Sequence, residues 1–174
     1  MIIIGEKING AIPSIKQAIA ERNEALIIER TLAQAAAGAN FLDCAPSTAT
    51  EIEYETMVWL IGLMQGATNV PLCIDSPNAK LLARVIEEGH LNKPGMVNSV
   101  NEEGDKCETI FPLIAGTPWE VVGLTCDQEG IPADPAKKVE IAKRIIDKAV
   151  QYGVSLHQLH IDPCVMALAT MPSA

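Results

Sequence analysis

Six short apolar segments recur along the chain, and most of them end in polar or acidic side chains. In chain order they are MIIIGEKIN, NFLDCAPST, VPLCIDSPN, PGMVNSVNEE, EVVGLTCDQEG and LHQLHIDPCV. Each is a run of apolar residues rather than a strict alternation of apolar and polar ones. Runs of this kind are typical of strands buried on both faces, as in a parallel sheet. The chain is therefore predicted to build its core around parallel strands.

Helical patterns lie between these segments. A helix is predicted from Glu24 to Ala37, with Gly38 suited to a left-handed cap. Thr50 and Glu53 have the spacing of a capping box at the start of another helix. Ser76 followed by Pro77 fits an N-cap and a first helical residue. The remaining helices are predicted at Lys106 to Ile114 and from Pro135 to Gly153, the last with an apolar stripe of Val139, Ala142, Ile145, Ile146, Ala149 and Val150.

The alternation of strands and helices predicts an α/β fold, either a doubly wound sheet or a (β/α) barrel. Neither GxGxxG nor GxxxxGK[ST] occurs, so the nucleotide-binding loop signatures are missing. Polar residues stand at or just beyond nearly every strand end: Glu6, Asn9, Asp43, Asp75, Asn98, Ser99, Asp127 and Asp162. In a barrel all these ends converge on one mouth, whereas in an open sheet only those near the switch point do. We therefore expect a TIM (β/α)8-type barrel.

Only six β/α units are visible, while a complete barrel has eight units and roughly 250 residues. Residues 1–174 are therefore expected to form a single barrel domain that is truncated at its C-terminus. Completion of the wall by another chain, or a fold other than a barrel, are the alternatives. Strands one and six would otherwise have open edges, which favour aggregation or swapping.

Composition narrows the classes of function. The net charge is −9 and the pI is about 4.8, with no basic cluster, which disfavours nucleic-acid binding. The apolar runs are too short for a membrane span, and the N-terminus lacks the features of a signal peptide. A cytoplasmic protein is expected. The five cysteines are odd in number and form no CxxC, so a disulfide framework or structural zinc site is not expected.

The acidic residues at the strand ends have two interpretations. Asp43, Asp75 and Asp162 have oxygen ligands suited to a divalent cation. They are equally suited to accept hydrogen bonds from a ligand rich in N–H groups, and Asn98 can both donate and accept, as a pyrimidinone ring requires. For Asp75 alone there is a structural alternative, since a carboxylate beside a helix N-terminus stabilises the helix dipole.

These strand ends resemble the methyltetrahydrofolate:corrinoid-protein methyltransferase family. The matching stretches are IIIGEKING, FLDCA, LCIDSPN, MVNSVN, VVGLTCDQEGIPAD and LHIDP, in family order. The chain is also similar to the folate domain of cobalamin-dependent methionine synthase and, more distantly, to dihydropteroate synthase. The resemblance implies a pterin held in the mouth of a (β/α)8 barrel. It matches Asp75, Asn98 and Asp162 to the residues that hold the pterin ring, and Glu6, Asn9, Asp43 and Ser99 to further mouth positions.

The resemblance also implies the chemistry. The family moves a methyl group between N5 of methyltetrahydrofolate and the cobalt of a corrinoid (cobalamin) carried by a partner protein, commonly as a homodimer. Its asparagine near N5 comes from the seventh strand, beyond Ala174, so the catalytic residue is unknown here. Ala45 replaces an asparagine of the family, and Asp127 stands where the family often has asparagine. We interpret these departures as marking a branch in which tetrahydrofolate accepts the methyl group.

Three other functions are compatible with the sequence. A dihydropteroate-synthase-like enzyme would need a site rich in lysine and arginine for pyrophosphate, which these strand ends lack. A divalent-metal lyase would show metal-dependent activity. A non-catalytic pterin-binding or assembly fragment is the third alternative, if the chain is complete at 174 residues.

Overall fold

The computed structural model describes residues 1–165 of the chain, and helices and strands alternate through most of it. In chain order the elements are β1 (Ile4–Gly5), α1 (Pro13–Ala20), α2 (Glu24–Ala36), β2 (Phe41–Cys44), α3 (Thr50–Ala67), β3 (Leu72–Asp75), α4 (Ala79–Glu87), β4 (Met96–Glu102), α5 (Lys106–Ile114), β5 (Glu120–Asp127), α6 (Pro135–Gln151) and β6 (Leu159–Asp162).

The six strands form one sheet in the order β1-β2-β3-β4-β5-β6, and every neighbouring pair is parallel. A doubly wound sheet reverses its strand order at a switch point, whereas a (β/α) barrel keeps the chain order. The sequential order therefore confirms the barrel prediction, with six β/α units present.

Alternate residues of each strand face two different environments. On the outer face, side chains pack with the helices in one large core, and the strand residues there include Leu42, Cys44, Leu72, Ile74, Val97 and Val121. On the inner face, a smaller cluster contains only strand residues: Phe41, Cys73 and Met96, with Ile4 and Val122 against them. The inner cluster forms an apolar layer inside the curve of the sheet, as expected for a packed barrel interior.

The helix starts differ in part from the sequence predictions. Thr50 lies inside α3 and the N-cap residue is Ala49, which makes no side-chain cap, so the capping box with Glu53 was wrong. The N-cap of α4 is Asn78 rather than Ser76, and its side chain accepts a hydrogen bond from the Leu81 amide at 3.2 Å. The predicted start of α6 is confirmed, because the Asp134 side chain caps the helix by accepting a hydrogen bond from the Ala136 amide at 2.9 Å.

Other details also depart from expectation. Helix α1 (Pro13–Ala20) was not predicted at all. The apolar stripe of α6 is narrower than predicted, because Ile141, Ile145 and Ala149 are buried while Val139 and Val150 are exposed. Within residues 1–165, no helix has the length and apolar character that crossing a membrane requires.

Candidate functional site

A polar layer lies directly above the apolar layer on the inner face of the sheet. Asp43, Asp75 and Asn98 each follow a member of the apolar layer by two residues within β2, β3 and β4, and Glu6 follows Ile4 by two residues, just after β1. A spacing of two returns a strand side chain to the same face. The sheet therefore aims these side chains into its C-terminal mouth.

Asp43 is the most buried member of this layer, at 1% exposure. Both of its carboxyl oxygens are buried without a hydrogen-bond partner. Burial, followed by the negative charges of Asp75 and Glu6, raises its pKa from 3.8 to about 8. The Cys73 thiol beside it opposes this pKa shift, although it makes no hydrogen bond of ordinary geometry. Near neutral pH Asp43 is therefore mostly protonated and can donate as well as accept.

Asp75 ends β3 and is only partly buried. Burial, followed by the charges of Glu6 and Glu53, raises its pKa to about 6. At neutral pH this carboxyl is mostly ionised and accepts hydrogen bonds. Because Asn78 caps α4, the alternative in which Asp75 serves the helix start is not needed.

Asn98 is the register partner of Asp75 on the neighbouring strand. The Ser76 amide donates to the Asn98 carbonyl at 3.0 Å, which fixes the two strand ends together. Asn98 and Ser99 are half-buried, and the peptide bond between them is cis. The register with β5 shifts between Asn98 and Val100. Asp75 and Asn98 thus form an adjacent acceptor and amide at the mouth.

Asp162 and Asn9 stand apart from this group. Asp162 is exposed at the end of β6, where its Oδ1 accepts a hydrogen bond from the Cys164 amide at 2.7 Å. Asn9 uses its Oδ1 within the loops, accepting from the Ala11 amide at 2.9 Å and from the Ser47 hydroxyl at 3.3 Å. The structure therefore brings together Glu6, Asp43, Asp75 and Asn98. It places Asp162 on β6, at the edge of the sheet opposite β1.

The sequence interpretation missed a buried partner of this site. Glu53 of α3 is 6% exposed and accepts a hydrogen bond from the Ser76 hydroxyl at 2.6 Å. Its charge contributes to the raised pKa of Asp75. A signal was present, because Glu53 precedes the buried Met57 by one helical turn and so shares its inward face.

The geometry favours hydrogen bonding over a cation site. No group of three His, Cys, Asp or Glu side chains within residues 1–165 is placed to hold a metal ion. A protonated Asp43, an ionised Asp75 and the Asn98 amide instead offer donors and acceptors side by side.

Comparison with known proteins identifies relatives of this chain. The methylcorrinoid:tetrahydrofolate methyltransferase of Eubacterium limosum is 48% identical over 172 residues, which are 98% of this chain and 63% of that protein. Methionine synthase of Mycobacterium tuberculosis is 29% identical over 177 residues, covering 98% of this chain and 15% of that protein. The chain thus spans less than two thirds of the length of these curated relatives.

Solved structures share the fold. Dihydropteroate synthase from Xanthomonas albilineans in complex with 7,8-dihydropteroate has a TM-score of 0.63 at 20% identity, covering 94% of this chain and 58% of that one. Dihydropteroate synthase of Burkholderia cenocepacia has a TM-score of 0.62 at 17% identity, covering 93% of this chain and 56% of that one. A family model described as pterin binding enzyme matches residues 12–173. Because this match covers most of the chain, the chain belongs to the family of pterin binding enzymes.

Proposed function

We propose that this chain is the pterin-binding part of a methyltransferase that moves a methyl group between N5 of tetrahydrofolate and the cobalt of a corrinoid carried by a partner protein. The observation that carries the proposal is the polar layer of Asp43, Asp75 and Asn98 at the mouth of the sheet. The name of the Eubacterium limosum relative, methylcorrinoid:tetrahydrofolate methyltransferase, supports the direction, with tetrahydrofolate as methyl acceptor.

Asp43, Asp75 and Asn98 each have a separate role in holding the pterin. Asp75, mostly ionised at neutral pH, accepts from the N–H groups of the aminopyrimidinone ring. Asn98 beside it pairs with a ring edge that both donates and accepts. Asp43, mostly protonated, donates to a ring acceptor and so satisfies an oxygen that otherwise lacks a partner. Hydrogen bonds to a charged acceptor contribute about 1.5–3 kcal/mol each.

The other residues predicted to contact the pterin lie around it at the mouth of the sheet. Asp162 contacts the pterin from the opposite side of the mouth, and Glu6, Asn9 and Ser99 surround it. A methylated corrinoid on the partner would supply the methyl group: N5 would form the new N–CH3 bond and lose its proton while the Co–C bond breaks, with the bonding pair left on cobalt, which would pass from Co(III) to Co(I). Residues of this chain bind and orient the pterin so that N5 faces the partner. A homodimer is the assembly we expect.

A calorimetric titration with tetrahydrofolate tests the proposal, and methyl transfer from methylcobalamin provides a second readout. Asp75→Asn removes one charged acceptor and should weaken binding by about tenfold or more. Asp147→Asn changes an exposed carboxylate on α6 and serves as the matched control. Equal affinities of the wild type and Asp75→Asn would show that the pterin pocket lies elsewhere. A folded protein that does not bind tetrahydrofolate would refute the proposed function.

A further inference from the structure

The turn that follows β3 is held by hydrogen bonds to two neighbouring elements. Residues 75–78 read Asp-Ser-Pro-Asn and join the end of β3 to the start of α4. Ser76 is 2% exposed, and its hydroxyl donates to Glu53 Oε1 of α3 at 2.6 Å. The same hydroxyl oxygen accepts from the Asn78 amide at 3.0 Å. Because the Ser76 amide also donates to the Asn98 carbonyl of β4 at 3.0 Å, three hydrogen bonds fix this one residue.

The position of Ser76 determines the direction of the Asp75 side chain. Pro77 follows Ser76, and a residue before proline is restricted to extended backbone conformations. Asp75 directly precedes Ser76 and is the last residue of β3 in register with β4. A shift of Ser76 would therefore move the backbone of Asp75 and turn its carboxylate away from the mouth.

Glu53, which accepts the hydrogen bond from Ser76, lies on a firmly packed helix. Met57 and Leu60 follow it at helical spacing on α3, and both are fully buried in the large core. The core therefore fixes the position of Glu53 independently of the loops at the mouth. Its carboxylate is a fixed acceptor to which the turn after β3 is attached.

Stability alone does not account for a carboxylate at this position. Glu53 is 6% exposed, and within residues 1–165 its side chain makes one hydrogen bond, with Ser76, and no ion pair. Desolvating a carboxylate that has a single partner is less favourable than burying an apolar side chain of similar size. Its charge also raises the pKa of Asp75 and so opposes ionisation of that residue. A residue that destabilises the fold in this way is expected to serve the neighbouring site.

We propose that Glu53 is a positioning residue for the pterin site, which holds the Ser76 hydroxyl and thereby aims the Asp75 carboxylate at the ligand. The inference rests on the proposed function, because Asp75 must contact the pterin. Glu53 itself does not touch the ligand, and its effect on affinity passes through Asp75. An acceptor that is already in place loses no conformational freedom when the ligand binds. Removing Glu53 should therefore lower the affinity only while Asp75 is present.

Calorimetric titration with tetrahydrofolate tests this inference at about pH 7.5, where Asp75 is mostly ionised. Glu53→Met removes the acceptor but keeps the side-chain length, so it should weaken binding about fivefold while leaving the melting temperature equal or higher. Glu53→Gln keeps an oxygen that accepts from Ser76 and should bind within about twofold of the wild type. Ser76→Ala removes the donor of the same hydrogen bond and should weaken binding as Glu53→Met does.

A double-mutant cycle shows whether Glu53 acts through Asp75. In an Asp75→Asn background, Glu53→Met should cause no further loss of affinity, because the carboxylate that it positions is already gone. Thr31→Ala is the control for lost stability, since it removes a buried hydroxyl that donates to the Ile27 carbonyl within α2 at 2.8 Å. It should lower the melting temperature and leave the affinity unchanged.

The outcomes separate this inference from the proposed function. If the wild type does not bind tetrahydrofolate, the proposed function is wrong and the inference fails with it. If Asp75→Asn weakens binding but Glu53→Met does not, Asp75 holds the pterin without help from Glu53 and the inference alone is overturned. Additive losses in the double variant, or an equal loss of affinity in Thr31→Ala, would also overturn it, because Glu53 would then act by another route or through stability.

Discussion

The buried Asp43 carboxyl makes the stability of the protein depend on pH in a way that can be calculated. Its pKa is 3.8 in an unfolded chain and about 8 in the fold. Between these values the folded state keeps a proton that the unfolded state has lost. The free energy of unfolding therefore decreases as the pH rises from about 4 to about 8, by roughly 1.4 kcal/mol per unit. Below pH 3.8 the two states bind this proton equally and the loss disappears.

The substitution Asp43→Asn removes this titration while keeping the shape of the side chain. Between about pH 4.5 and 7.5 the wild type should lose roughly 4 kcal/mol through Asp43, and the variant should not. Asp75 titrates in both proteins, so the difference between them isolates Asp43. The amide has its own cost of burial, but that cost is independent of pH and changes only the offset between the two curves.

Equilibrium urea unfolding, followed by fluorescence of Trp59 and Trp119, measures this difference at a series of pH values. The free energy of unfolding of Asp43→Asn minus that of the wild type should rise steadily with pH. Asp147→Asn on the surface of α6 controls for the loss of one carboxylate from the chain. Parallel curves for the wild type and Asp43→Asn would refute the argument that burial keeps this carboxyl protonated.

Three further predictions concern the same end of the sheet. Tetrahydrofolate affinity should fall by about tenfold per pH unit below pH 6, because the Asp75 carboxyl then becomes protonated. Calorimetric titrations at several pH values measure this dependence, and Asp75→Asn should not show it. Glu53→Gln should move the midpoint of this dependence to lower pH, since it removes a charge that raises the pKa of Asp75; an unmoved midpoint would exclude that coupling. Gly10→Ala should destabilise the fold by about 1–3 kcal/mol, because the added Cβ would lie 2.0 Å from the Pro46 carbonyl oxygen. Thermal unfolding measures this last loss, and a melting temperature equal to that of the wild type would contradict it.

The strands could be predicted from the sequence because they are buried and therefore consist mostly of apolar residues. Apolar runs such as Leu72-Cys73-Ile74 are covered on both faces, so tertiary context and local preference agree. The polar residue that ends each run marks the mouth, because only that position lies outside the apolar layers and can hold a polar side chain. The barrel itself was inferred from the polar residues at nearly every strand end, which would converge on one mouth only in a barrel.

Helix ends and side-chain partners were less predictable. Ser76 and Asn78 are both good cap residues, and the sequence does not show that Ser76 is recruited by Glu53 from another helix. Thr50 and Glu53 have capping-box spacing, yet Glu53 is drawn into that tertiary contact instead. The protonation of Asp43 was equally hidden, because its pKa depends on burial and on charges contributed by other strands.

The two-residue period of β2, β3 and β4 limits how a protein of this kind can diverge. Inserting or deleting one residue within β3 would exchange the directions of Ile74 and Asp75, sending a carboxylate into the helix layer and an apolar group into the mouth. Changes of length are therefore confined to the loops, which carry no such alternation. Within the strands, new ligands can be reached only by substitution at the upper inner positions. The same sheet can thus bind different ligands while the alternation of its strand residues stays unchanged.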